Sequence, residues 1–412
     1  MLRDLRPDFV RWPGGCIVEG LTMDNRIKWK ETIGDIVKRP GEYNLWGYRS
    51  TYGFGYHEFL QFCEDIDADG LFVCNAGMSC LFRNGDYWEE ENRIDNLIQD
   101  ALDAVEYALG DTTTVYGKRR AENGHAAPFP LKYVEVGNEN VGLRYVKNYN
   151  RFYKAIKEKY PETIVVGTVG PFNEGTDYVE GWKLADKLGI PMVDEHYYQT
   201  PGWFLNNQDF YDKYDRSKKT KVYLGEYATH IPGRKANIET ALTEALYLAA
   251  LERNGDVVHM TSYAPLLAKE GHTQWNPDLI YFNNREVKPT TGYYVQKLYG
   301  QNAGNEYLPS KITLDNRDDQ VRKRIAASIV RDSASGDVIV KLVNLLPVEV
   351  NTNVDLSGIG AIQSSAKRTV LTGKPADTPL PVEDTMEVAE KFDYQLPAYS
   401  FTVIRIKKAN EK

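Results

Sequence analysis

The sequence predicts an α/β fold: a (β/α)8-type barrel one strand short, followed by a C-terminal antiparallel β-sandwich. First, short and nearly continuous apolar runs alternate regularly with longer amphipathic stretches through about residue 300, as in a parallel sheet covered by helices. Repetition over that length favours a barrel over an open doubly wound sheet. Second, no Gly-x-Gly-x-x-Gly follows the first run, so a dinucleotide-binding sheet lacks its phosphate turn, and Gly53-Phe54-Gly55 reads as a simple turn. Third, beyond residue 302 the period changes from helical to alternating, with Gly, Asp, Asn and Pro punctuation.

Taken in order, the expected barrel strands are 9–12, 71–75, 133–137, 163–167, 192–196, 221–225 and 257–261. These are seven, where a closed barrel needs eight. Between them, 92–109 places Ile94, Leu97, Ile98, Leu102, Val105 and Leu109 three and four apart, which predicts an amphipathic helix. The expected sandwich strands are 324–330, 338–343, 348–356, 367–371 and 401–406. In 348–356, Val348, Val350, Thr352, Val354 and Leu356 would face the core, and the intervening Asn351 and Asn353 suit an edge strand. The expected domains are therefore 1–301 and 302–412.

Composition narrows the function classes. The 412 residues carry a formal charge of −8, which repels phosphate backbones and excludes nucleic acid as an expected partner. No uncharged apolar run approaches membrane-spanning length, and the first residues lack the apolar core of a signal peptide. The four cysteines, Cys16, Cys63, Cys74 and Cys80, form no Cys-x-x-Cys pair, and no His-Glu-x-x-His occurs, so no metal site is expected and the thiols read as reduced. With 28 Tyr and 7 Trp the chain is rich in side chains that stack on sugar rings. Compartment and homo-oligomer formation stay open.

Two strands end on carboxylates. The run Lys132-Tyr133-Val134-Glu135-Val136-Gly137-Asn138-Glu139-Asn140 delivers Glu139 at a strand end, and Val222-Tyr223-Leu224-Gly225-Glu226-Tyr227 delivers Glu226. Barrel enzymes place catalytic groups at the carboxyl ends of their strands. Two glutamates at one barrel mouth suit glycoside hydrolysis, where one carboxyl is held protonated and the other ionised.

These segments resemble glycoside hydrolase family 51, the α-L-arabinofuranosidases, within the clan of retaining barrel glycosidases. The resemblance covers nearly the whole chain. It rests on Arg11-Trp12-Pro13-Gly14-Gly15-Cys16, Trp29-Lys30-Glu31-Thr32-Ile33-Gly34 with Arg39-Pro40, Gly137-Asn138-Glu139-Asn140, Glu195-His196-Tyr197-Tyr198 and Gly225-Glu226-Tyr227. In that clan the acid/base closes strand four and the nucleophile strand seven. Here they close the third and sixth visible strands, so the resemblance implies that the family's first strand, with a glutamate that binds outer sugar hydroxyls, lies upstream of Met1.

By that resemblance Glu139 is the general acid/base and Glu226 the nucleophile. Asn138 would hold the sugar 2-hydroxyl, and Tyr198 and Arg11 would keep Glu226 ionised. His196 would position its neighbours. Trp46 matches an aromatic along the sugar, His230 a rim position where many members carry Trp, and Trp275 could reach the cleft from the loop after the last strand. Cys16 stands where many members have Asn, which weakens that sugar contact. The implied activity is exo-acting and retaining, without metal or organic cofactor, on arabinoxylan or arabinan. The alternatives are another glycosidase of the clan, such as a β-glucanase or xylosidase, and a non-catalytic sugar-binding remnant.

Overall fold

Seven parallel strands form the central sheet of the computed structural model, which describes residues 1–409. They are β1 (Phe9–Trp12), β2 (Asp69–Cys74), β3 (Leu131–Val136), β4 (Ile164–Thr168), β5 (Met192–Gln199), β6 (Lys221–Thr229) and β7 (Val258–Tyr263). Each expected run overlaps one of them. The strands lie in chain order, each parallel to the next.

Helices α1 (Tyr56–Ile66), α2 (Glu91–Leu109), α3 (Gly142–Lys159), α4 (Thr176–Leu188), α5 (Ile238–Arg253) and α6 (Thr291–Gln301) cover its outer side. Helix α2 buries Ile94, Leu97, Ile98 and Val105, the stripe its spacing predicts. Helix α1 begins at Gly55, whose N–H donates to Glu58, so Gly53-Phe54-Gly55 is the turn expected of it. Helix α5 is buried on almost every face from Ile238 to Leu251, because it lies between the barrel sheet and the C-terminal sheet. Its start is specified locally: Asn237 Oδ1 accepts from Thr240 N, and Asn237 N donates back to Thr240 Oγ1, both at 3.1 Å.

Alternation along the strands sorts side chains between two cores. Leu71, Val73, Val166, Met192, Tyr223 and Met260 fill the barrel interior. Phe72, Cys74, Val134, Val193, Val222 and Leu224 pack outward in the helix layer. By the same parity β3 turns Glu135 inward, and β5 turns Asp194, His196 and Tyr198 inward. The sheet does not close. Among the described residues the outer edges of β1 and β7 have no strand partner, and a cavity of about 2120 Å³ lies between them and extends to the barrel mouth.

The C-terminal part contains β8 (Ile325–Arg331), β9 (Val338–Asn344), β10 (Val350–Asp355), β11 (Ile362–Thr372), β12 (Val382–Glu387), β13 (Lys391–Leu396) and β14 (Ser400–Lys408). One antiparallel sheet runs Glu306–Tyr307, β8, β9, β14, β11, β12, and β10 pairs separately with β13. Two expectations change here. Val348 is 57% exposed rather than inward, because the strand starts only at Val350 and Val348 lies in the preceding loop, its carbonyl accepting from Asn344. Strands β12 and β13 were not expected: β12, Val-Glu-Asp-Thr-Met-Glu, is a polar exposed edge without alternation, whereas Phe392, Tyr394 and Leu396 of β13 do alternate and complete β10.

Strand β9 is buried on both faces. Val338, Val340 and Leu342 enter the sandwich core, while Ile339 and Val343 join the barrel's core. Lys341, of the same parity as Ile339 and Val343, is fully buried and pairs with Glu252 of α5, which also accepts from Ser328. Removing one partner of a buried ion pair strands the other charge. Lys341→Ala is expected to lower unfolding free energy by about 3 kcal/mol in urea titrations, and a change below roughly 1 kcal/mol contradicts this account.

Candidate active site

Arg11 is the hub. Its Nε and Nη2 donate to the two oxygens of Glu135, each at 2.8 Å, and Nη2 also donates to Asn138 Oδ1 at 2.8 Å. Its Nη1 donates to Glu226 Oε1 at 2.7 Å. A planar guanidinium can serve these acceptors together, which an ammonium cannot.

Local sequence explains how the two glutamates arrive. After β3 the chain turns through Gly137 at φ +80° and Glu139 at φ +53°. A Cβ on Gly137 would lie 2.3 Å from Asn140 Oδ1, so only glycine fits there. Along β6, strict alternation would send Glu226 outward, since Tyr223 points inward. The register shifts instead: Glu195 pairs with Leu224 and His196 with Glu226, which leaves Gly225 as the extra residue of a bulge. The bulge re-aims Glu226 into the barrel. A Cβ on Gly225 would sit 2.1 Å from Asp194 Oδ1, so the glycine makes room for that buried carboxylate.

Glu139 and Glu226 meet across His196. His196 Nδ1 lies 2.7 Å from Glu139 Oε1 and 3.6 Å from Glu226 Oε2, and its Nε2 lies 2.8 Å from Asp194 Oδ2. One oxygen of Glu139, one of Glu226 and a His196 nitrogen all fall within 4.8 Å of one another. Burial pushes Glu139 above the usual carboxylate range, and the charge of Glu226 adds to that against the His196 contact. Burial also opposes the charge on Glu226, yet His196, Arg11 and the Tyr198 hydroxyl at 2.6 Å hold it below that range. The two carboxyls are thus driven apart in acidity by their partners.

The remaining expected residues fall into two groups. Tyr198, Trp46 and Trp275 line the cavity, with Trp275 edge-on to Trp46 at 6.1 Å and to Tyr198 at 5.0 Å. Cys16 also lines it, with Sγ 3.9 Å from Glu139 Oε2. His230 is not on the cavity wall: it stacks on Tyr198 at 5.2 Å, and burial and the Arg234 charge lower its pKa to about 4. Asn138 is 1% exposed, and its Nδ2 has no protein acceptor; neither has Trp275 Nε1. Glu135 and Asp194 escaped the sequence reading. Their signal was a charge inside an otherwise apolar strand, Tyr133-Val134-Glu135-Val136 and Met192-Val193-Asp194.

The opposed shifts predict opposed stability effects. A carboxyl raised in the fold contributes stability at low pH that is lost as pH rises through its folded pKa. A depressed one contributes stability above about pH 4.3 that is lost as pH falls through its folded pKa. At pH 7, Glu139→Gln should therefore raise the urea midpoint, whereas Glu226→Gln should lower stability by roughly 1–3 kcal/mol through loss of its charged hydrogen bonds. Shifts of the same sign would contradict the assignment.

Residues 1–216 match the family model for the alpha-L-arabinofuranosidase 1 domain, and residues 211–400 match that for the alpha-L-arabinofuranosidase C-terminal domain. An extracellular exo-alpha-L-arabinofuranosidase of Streptomyces chartreusis is 43% identical over 75% of this chain and 38% of its own length. Alpha-L-arabinofuranosidase 1 of Arabidopsis thaliana is 34% identical over 100% of this chain and 60% of its own. The chain therefore spans about two-fifths to three-fifths of these relatives. The arabinose-bound structure of MgGH51 α-L-arabinofuranosidase superposes with a TM-score of 0.87 at 31% identity, covering 99% of this chain and 66% of that one. An arabinofuranosidase of Thermotoga maritima shares the fold with a TM-score of 0.76 at 17% identity, over 98% of this chain and 88% of that one. With the paired carboxylates carried by the turn after the third strand and by the bulged sixth strand of such a barrel, the chain belongs to the α-L-arabinofuranosidases of glycoside hydrolase family 51.

Proposed function

We propose that this site removes terminal α-L-arabinofuranosyl groups from arabinoxylan or arabinan with retention of configuration. The observation that carries the reading is the approach of a Glu139 oxygen to within 4.8 Å of a Glu226 oxygen. Retaining glycosidases hold their carboxyls about 5–5.5 Å apart, whereas inverting ones leave about 6.5–9.5 Å for a water. Glu139 gives its proton to the glycosidic oxygen while Glu226 attacks the anomeric carbon, and an arabinosyl-Glu226 ester forms as the leaving alcohol departs. Glu139 then takes a proton from water, which attacks the same carbon and releases arabinose and the Glu226 carboxylate.

The surrounding groups support the same chemistry. Arg11 and Tyr198 hold Glu226 as a carboxylate. Asn138 Nδ2 is a buried donor in want of an acceptor, and a sugar 2-hydroxyl beside the anomeric carbon supplies one. Trp275 Nε1 is a second such donor on the aromatic wall.

Glu226→Ala is expected to cut turnover of an aryl arabinofuranoside by on the order of 10⁴-fold, with azide restoring it as a product of inverted configuration. Glu139→Ala should cost roughly 10²–10⁴-fold with poor leaving groups and far less with good ones. Equal losses, or no azide product, would reject these roles. The pH profile of kcat/KM should be bell-shaped, with its acid limb set by Glu226 below the usual carboxylate range and its alkaline limb by Glu139 above it. Tyr198→Phe removes a donor to the ionised Glu226 and should move the acid limb upward; an unmoved limb would exclude that contact.

A further inference from the structure

We propose that Cys16, Glu19 and Cys80 form a binding site for a thiophilic divalent cation of the zinc class, placed so that occupancy engages Glu139 and closes the hydrolytic centre. One sulfur from each cysteine and one carboxylate oxygen of Glu19 lie within 4.8 Å of one another. A tetrahedral zinc with Zn–S near 2.3 Å and Zn–O near 2.0–2.2 Å needs its ligand atoms about 3.5–3.8 Å apart, so side-chain rotations of about 1 Å suffice.

The fold assembles the set from two segments. Cys16 and Glu19 stand on one short 3-10 turn, Gly15–Val18 with its cap, where Glu19 N donates to Cys16 O at 3.1 Å. Cys80 is tied to the same turn by its N–H, which donates to Gly20 O at 3.1 Å. Glu19 is 1% exposed, and among the described residues no cation pairs with it; its Oε1 accepts from Asn140 at 2.6 Å. A buried carboxylate facing two thiols is a set that a divalent cation neutralises and that hard cations, which want oxygen, do not prefer. Cys16 and Cys80 line the cavity, so an ion has a route in. Binding forms two Zn–S bonds and one Zn–O bond; the two thiol protons leave to solvent, together with any proton held by Glu19 and, as it is engaged, the proton of Glu139. The fourth position faces Glu139, whose Oε2 is 3.9 Å from Cys16 Sγ. A cation there holds Glu139 as a carboxylate and denies the leaving group its proton.

The test uses cadmium chloride as a spectroscopic probe and zinc chloride as the inhibitor. Cadmium should bind one per chain with a thiolate-to-metal absorption band and release of protons, at least the two from the thiols. Cys80→Ser should reduce the band, with Cys16 the one thiolate left, and weaken binding by roughly 100-fold, since one of three protein ligands is gone. Glu19→Gln, nearly isosteric, should keep the band and weaken binding, whereas Cys63→Ser, outside the cluster, should bind like the parent. Zinc should suppress hydrolysis of an aryl arabinofuranoside reversibly, with EDTA restoring it. Only this last arm rests on the hydrolase reading; the band and the protons test the metal site without it. Absence of a band, an unchanged affinity in Cys80→Ser, or a disulfide between Cys16 and Cys80 in the protein under reducing conditions would overturn the proposal.

Discussion

One guanidinium makes this barrel interior tenable. Glu135, Asp194 and Glu226 are inward carboxylates within one small volume, and each buried ion costs several kcal/mol in lost hydration unless a partner offsets it. Arg11 reaches all three, at 2.8 Å, 3.5 Å and 2.7 Å. Its bidentate grip on Glu135 fixes the plane of the fork, and that plane presents Nη1 to Glu226. The orientation of the ionised carboxylate therefore depends on a residue five strands away along the sheet and 215 positions away in the chain. Arg11 sits on β1, a four-residue strand paired on one side only among the described residues. The charge balance of the site thus hangs on an edge strand of the sheet.

His196 completes that balance. Burial opposes its protonation, but the charges of Asp194 and Glu226 raise its pKa well above the ordinary imidazole value. With Nε2 committed to Asp194, its Nδ1 makes the 2.7 Å hydrogen bond to Glu139. That geometry ties the acidity of Glu139 to the charge state of the whole cluster, and two carboxyls with oxygens within 4.8 Å of each other titrate as a coupled pair.

The cavity has two parts with different chemistry. Near the carboxylates it is walled by Trp46, Trp275 and Tyr198, with Arg83 over Trp46 at 5.4 Å and Arg234 over Trp275 at 5.2 Å. Toward the barrel floor it opens between β1 and β7 along strand edges and apolar side chains such as Leu248 and Leu251. Its volume of about 2120 Å³ exceeds the roughly 300–1,000 Å³ of small-molecule sites, because among the described residues the gap between the outer edges of β1 and β7 is continuous with the barrel mouth.

Much was legible in the residues alone. Apolar runs bounded by turns located all seven barrel strands, since a parallel sheet buried on both faces admits little else, and the change of period near residue 302 marked the sandwich. Glu139 and Glu226 stood out because each comes just after an apolar strand run and a glycine, in Gly137-Asn138-Glu139 and Gly225-Glu226. What the residues could not reveal was long-range: that Arg11 grips Glu135 with two donors while reaching Glu226 and Asn138 with others, that His196 bridges the two glutamates, that His230 backs Tyr198 instead of facing the cavity, and that Cys80 lies beside Cys16. Local periodicity assigns each side chain a face, but pairing register decides which faces meet. The bulge at Gly225 makes the point, for a single extra residue in β6 reverses parity and turns Glu226 from the helix layer into the barrel. Sequence by itself determined the strands and the acids they carry; the tertiary fold decided which charges share one low-dielectric volume, and hence which of two identical carboxyls keeps its proton.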